Sequence, residues 1–263
     1  MRRGTDTGTD VTQWLGSLRS ALDDAVEPVT FFFRDDDAGW DDRRLFLLLR
    51  CFETHGLPVD VAVIPKTLTE SLATRLSRCP GPVHLHQHGY QHLSYQTEGR
   101  KCEFGDQRTA AMQRHDIAEG DRVLREMLGT RIEPIFTPPW NRCTLDTARC
   151  LADLGFQVLS CESRAPRFNV EGLSEVPVTI DWFARSRGVR LSLQELGDSI
   201  KAGVQSGGPV GIMFHHAMMN ADERHHTDAL LALLASHPAV RTTSILEAGV
   251  NNDNPSLRPC RTR

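Results

Sequence analysis

Short apolar runs rich in β-branched and aromatic residues alternate along this chain with longer stretches of helical period. Seven runs read as strands: VTFFF (29–33), VDVAVI (59–64), VHLHQH (83–88), PIF (134–136), FQVLS (156–160), VPVTI (176–180) and VGIMF (210–214). Between them lie amphipathic segments such as RRLFLLLRCFETHG, ending in Gly56, and TLTESLATRLSRCPG, stopped by Pro80-Gly81. Strand followed by helix, repeated along 263 residues, is the pattern of a parallel sheet. At this length it predicts an α/β fold, a single closed or nearly closed (β/α) barrel over residues 1–249, with a doubly wound open sheet as the alternative. There is no linker, tandem repeat or low-complexity segment, and the polar tail 250–263 is expected to be loose.

Composition narrows the class of partner. A hydrophobic fraction of 40% with 24% charged residues is that of a soluble globular protein. A net charge of −4 without a Lys/Arg block argues against nucleic acid or an anionic membrane surface, both of which demand a concentrated positive field. The start, MRRGTDTGTDVTQW, lacks the apolar stretch of a secretory signal, and no later segment is apolar enough to span a bilayer, so a cytoplasmic location is expected. Seven scattered cysteines without zinc-ribbon or disulfide-framework spacing read as reduced thiols.

The unusual residues fall at the carboxyl ends of the strands. RDDDAGW follows the first, HGYQH ends the third, TPPWNR follows the fourth, DW the sixth and HH the seventh. In a parallel barrel those ends share one rim, where active sites form. His88 and His92, four apart, have the spacing to hold one divalent cation, whereas His84 and His86 read as strand residues. Three consecutive carboxylates, Asp35 to Asp37, repel one another unless a cation neutralises them, although one of them could serve only as a turn or helix cap. His225 and His226 read as solvated surface, Cys143 and Cys150 as packing, and Trp40 as a sugar platform or a plain cap. Glu103, Phe104 and Arg108 lie on a long loop that either contacts substrate or is plain surface.

The order of these motifs resembles the NodB-like polysaccharide deacetylases, carbohydrate esterase family 4, over roughly residues 29–216. The resemblance implies a distorted (β/α)7-8 TIM-like barrel and a metal-dependent hydrolase that removes N-acetyl groups from a sugar or glycan. It implies Asp36 as general base and Asp37 as metal ligand, with the pair Asp35/Asp36 as the alternative register. It further implies His88 and His92 as ligands, the backbone N–H of Trp140 as an oxyanion donor, and Asp181 as the residue that orients a catalytic partner, with Trp182 shaping the pocket. His215 would be the general acid, with His216 as its competitor. The metal implied is a divalent ion, zinc first, with cobalt or manganese as alternatives. Two departures stand out: Ala38 replaces the glycine of the first motif, and Thr137 stands where the family has an arginine that meets the catalytic Asp, a role left open to Arg34 or Arg142. The competing readings are another amide hydrolase on the same scaffold, acting on a formamide or small cyclic amide, and an inactive barrel used for binding.

Overall fold

The computed structural model describes residues 10–253. Its elements in chain order are α1 (Asp10–Asp23), β1 (Val29–Ala38), α2 (Asp42–His55), β2 (Val59–Val63), α3 (Glu70–Ser77), β3 (Val83–His88), α4 (Ala110–Leu128) and β4 (Ile132–Thr137). They continue with α5 (Leu145–Asp153), β5 (Val158–Leu159), β6 (Ser174–Glu175), β7 (Ile180–Asp181), β8 (Arg185–Ser186), β9 (Val189–Arg190), α6 (Leu193–Ser206), β10 (Val210–His215), α7 (Ala221–Ser236), β11 (Val240–Thr242) and α8 (Ile245–Asp253).

The main sheet runs β6-β5-β4-β3-β2-β1-β10-β7, with every adjacent pair parallel and β11 against the start of β1. Its strands follow one another in near-sequential order, which is the order of a curled barrel and not of a doubly wound sheet. A parallel bridge between Glu162 and Val178 continues the β5–β6 pairing in the same register. Alternation along the strands sorts side chains between two cores. Phe31 and Phe33 pack outward with the leucines of α2, whereas Phe32, Ile135, Val158, Val178 and Met213 fill the inside of the curl.

Helix boundaries follow local chemistry. α2 begins where the Asp41 side chain accepts the N–H of Arg44 and ends at Gly56 in the left-handed conformation, φ 64. α3 and α4 are capped by Thr69 and Thr109.

Several expectations are corrected. β1 does not end at residue 33 but continues through the three aspartates to Ala38. The run VPVTI is not one strand: β6 precedes it and β7 begins at its last residue, because Pro177 has no N–H to give a ladder. Elements with no sequence reading include α1, whose Trp14 is 1% exposed against Trp182, the β8–β9 hairpin and β11. The tail expected to be loose from residue 250 is helical as far as Asp253, and the rest of it lies outside the described residues. The six described cysteines are free, and no described helix is long and apolar enough to cross a membrane.

Candidate metal and catalytic centre

Strand alternation alone would point Asp36 and Asp37 to opposite faces. The β1–β2 register shifts between Asp35 and Ala38, and Asp37 takes φ 70, so this bulge turns both carboxylates to the same side. Asp35 stays on the outer face. There it accepts both the backbone N–H (3.0 Å) and the Nδ1–H (2.6 Å) of His216, whose Nε2 donates to the carbonyl of Trp40. With both ring nitrogens donating, His216 is an imidazolium. Burial would lower its pKa, but the Asp35 charge and these hydrogen bonds push it up to about 9. Asp35 and His216 are therefore consumed by each other, which removes both from the competition left open by the sequence.

Asp37 meets both histidines of HGYQH. His88 Nε2 lies 3.2 Å and His92 Nε2 3.1 Å from Asp37 Oδ1, and one ligand atom of each residue falls within 4.8 Å of the others. His88 Nδ1 donates to the carbonyl of Thr137 at 3.0 Å, which leaves a lone pair on Nε2 facing a carboxylate. Two acceptors pointed at each other need a cation or a proton between them. Tetrahedral zinc with bonds near 2.1 Å would separate its ligands by roughly 3.4 Å, close to what is seen. The residues thus fit a divalent ion. Burial would raise the Asp37 carboxyl, but the hydrogen bonds from His88 and His92 hold it far below its usual range. Burial opposes the charge on His88, and Asp37 raises its pKa in spite of that.

The loop carrying His92 is built around Gly89 and Glu103. Gly89 has φ 54, and a Cβ there would stand 2.4 Å from Glu103 Oε2 and 2.5 Å from Pro139, so only glycine fits. Glu103 is fully buried and accepts the N–H groups of Tyr90, Gln91 and His92 at 3.4, 2.8 and 3.2 Å. It is a clamp on this loop, not a surface residue. The His92 ring, at φ 56 backbone, lies between Trp40 and Trp140, with centroids 4.5 and 4.4 Å away.

Asp36 is held by Arg34 through two contacts, Nε–Oδ1 at 2.8 Å and Nη2–Oδ2 at 3.0 Å. The guanidinium is itself fixed by the Ser160 carbonyl and hydroxyl, both at 2.9 Å, and by Asn141 Oδ1 at 2.6 Å. Burial pushes the Asp36 carboxyl up, and Arg34, His88 and His215 more than offset it, leaving it below its ordinary value. Of the two arginines weighed for this contact the structure brings Arg34, while Arg142 turns away to the Lys101 carbonyl. The β1–β10 register sets Asp36 beside His215, whose Nε2 is 4.0 Å from Asp36 Oδ2 and whose side chain is 22% exposed.

The remaining sequence candidates are placed differently. Trp140 sits in the Pro139–Asn141 turn at φ 56, its ring against His92. Asp181 does not hydrogen-bond His215; its Oδ1 accepts the N–H of Phe183 at 2.8 Å, and His215 Nδ1 has no partner among the described residues. Trp182 does not shape a pocket. It is 1% exposed, packs on Trp14 and Phe214, and donates to Glu223 at 2.7 Å. His84 pairs with Glu133 at 2.6 Å and His86 bonds Thr137 Oγ1 at 2.9 Å, so neither joins the cluster. Sequence reading missed the role of Glu103, although an acid between Cys102 and Phe104 in a loop was a signal of burial.

No family model matches the sequence, and no curated protein is detectably similar to it. Solved structures are similar in fold. A protein from Mycobacterium smegmatis assigned by name as a polysaccharide deacetylase superposes with TM-score 0.67 at 16% identity, covering 91% of this chain and 96% of that one. The chain has the fold of the family 4 carbohydrate esterases. A family 4 acetyl xylan esterase from Clostridium thermocellum, in complex with a cobalt ion, superposes on this esterase fold with TM-score 0.59 at 13% identity, covering 88% and 96% of the two chains. The allantoinase PuuE shares it as well, with TM-score 0.66, 12% identity and coverage of 88% and 92%.

Proposed function

We propose that the protein is a metal-dependent hydrolase that removes an N-acetyl group from a carbohydrate. The observation that carries this reading is the convergence of Asp37, His88 and His92 on one point beside an arginine-held carboxylate and a partly exposed histidine. A divalent cation, zinc before cobalt or manganese, would be held by Asp37, His88 and His92 and would supply a Lewis acid that acidifies water and polarises an acyl oxygen. Asp36, ionised beside Arg34, accepts the proton of the attacking water. Arg34 keeps that carboxylate in one orientation. His215 protonates the departing amine, without which an amide nitrogen is a poor leaving group. The turn at Trp140 presents a backbone N–H for the oxyanion.

The test is acetate release from N-acetylated sugars by wild type and by Asp36→Asn, with metal content measured on both. Turnover reduced by on the order of 10²–10⁴ at unchanged metal content is expected, since a single proton-transfer group contributes about that much. Unchanged turnover would remove Asp36 from the mechanism. The likeness to an allantoinase favours a second reading, opening of a cyclic amide, and it predicts a carboxylate product with no acetate.

A further inference from the structure

Two clefts flank the loop that follows β5. One is lined by Arg100, Arg142 and Arg164, the other by Arg164, Arg185 and Arg187, and together they hold five arginines against three carboxylates, Asp106, Glu162 and Asp181. None of the five is in an ion pair among the described residues. The exposed arginines of α4 are neutralised instead, Arg114 by Asp153 (3.2 Å), Arg122 by Glu119 (2.7 Å) and Arg125 by Asp121 (2.8 Å). In a chain of net charge −4, five arginines against three carboxylates around two neighbouring clefts make a local positive excess.

These clefts adjoin the centre through side chains that support it. Asn141 lines the first and Met213 the second, and both contact Arg34, which holds Asp36. On the rim of the first, Lys101 Nζ lies 5.8 Å from the Trp140 ring, which packs on His92. The backbone carries a third sign. The β8–β9 hairpin turns through Arg187 at φ 51 and Gly188 at φ 82, and the first of these positions favours asparagine or glycine. An arginine there costs backbone strain, and its side chain lines the second cleft.

We propose that these arginines form a subsite for an anionic group, phosphate or carboxylate, carried by the substrate beside the amide that is cleaved. Guanidinium forks match both oxyanions with paired hydrogen bonds. The inference names the substrate class of the hydrolase reading, yet its binding test does not depend on turnover.

Calorimetry on the whole metal-loaded protein with glucose, glucose 6-phosphate, glucuronate and inorganic phosphate uses probes that contain no amide and so cannot be turned over. The charged sugars are expected to bind at least about tenfold tighter than glucose, with affinity falling as salt rises, and to lose that advantage in an Arg142→Ala/Arg164→Ala/Arg185→Ala variant. Arg122→Ala on α4 serves as control and keeps it. The phosphate and carboxylate arms identify which anion is preferred. Equal binding of neutral and charged sugars, or charged binding unchanged in the triple variant, overturns the proposal. A parallel acetate assay compares N-acetylglucosamine with its 6-phosphate. Anion binding without acetate release keeps the subsite and removes the deacetylase reading, whereas equal acetate release with no anion binding does the reverse.

Discussion

At the scale of single residues, the contact that organises the centre is Arg34 on Asp36. The two lie on the same strand two positions apart, so alternation puts them on one face, and the guanidinium reaches the carboxylate with both contacts at 3.0 Å or less. Lysine offers a point charge in place of a fork. Arg34→Lys is therefore expected to lower kcat on the order of tenfold or more while KM and bound metal stay near wild type, read by steady-state kinetics beside metal analysis. A proportional rise in KM with kcat intact would mean that Arg34 serves substrate binding instead. That His88 and His92 come together was legible in the sequence from their spacing and strand-end position. The choice between Asp35, Asp36 and Asp37 was not, because it depends on a bulge and on His216, which arrives from 181 residues away.

At the scale of elements, the loop after β3 works only because a second loop reaches under it. Glu103 takes three consecutive N–H groups of the loop that carries His92, and burial raises its pKa in spite of the N–H groups of Gln91, Tyr90 and His92. Glu103→Ala removes the carboxylate that accepts all three N–H groups and leaves buried donors unpaired, at about 1–3 kcal/mol for such a group. The expected result is a loss of metal affinity on the order of 10–100-fold, measured by competition with a chelating dye. Affinity equal to wild type would show that the loop holds its shape without the clamp. Strong apolar periodicity made β1, β2, β3, β10 and the helices α2 and α3 readable. The two-residue strands β5, β6 and β7 were overdrawn or misplaced, since short pairings are set by tertiary neighbours and by Pro177 more than by propensity.

At the scale of the whole molecule, the inside of the curl carries a polar floor opposite the centre. Asp60 is fully buried, accepts the N–H of Ile245 at the start of α8 through Oδ2 (3.0 Å), and has Oδ1 unpartnered. Burial pushes its carboxyl up to about 8. A carboxyl whose folded pKa lies above the unfolded value of 3.8 favours the folded state fully below that value. This contribution is lost as pH rises toward about 8, at up to about 1.4 kcal/mol per pH unit. Asp60→Asn keeps the acceptor for Ile245 and has no proton to lose. Denaturant unfolding from pH 5 to 9 is expected to show the variant gaining on wild type as pH rises; parallel stability curves would refute the protonated floor.

By itself the sequence determined the class of fold, the alternation of strand and helix, the strand ends at which the candidate residues lie and the two histidines that face Asp37, because periodicity and spacing are local quantities. Tertiary structure decided which carboxylate faces the histidines, that Arg34 and not Arg142 meets Asp36, that His216 is spent on Asp35 while His215 remains accessible, and that Trp182 is core. Each of those depends on which distant segments share a face, and burial and charge act through space, not along the chain.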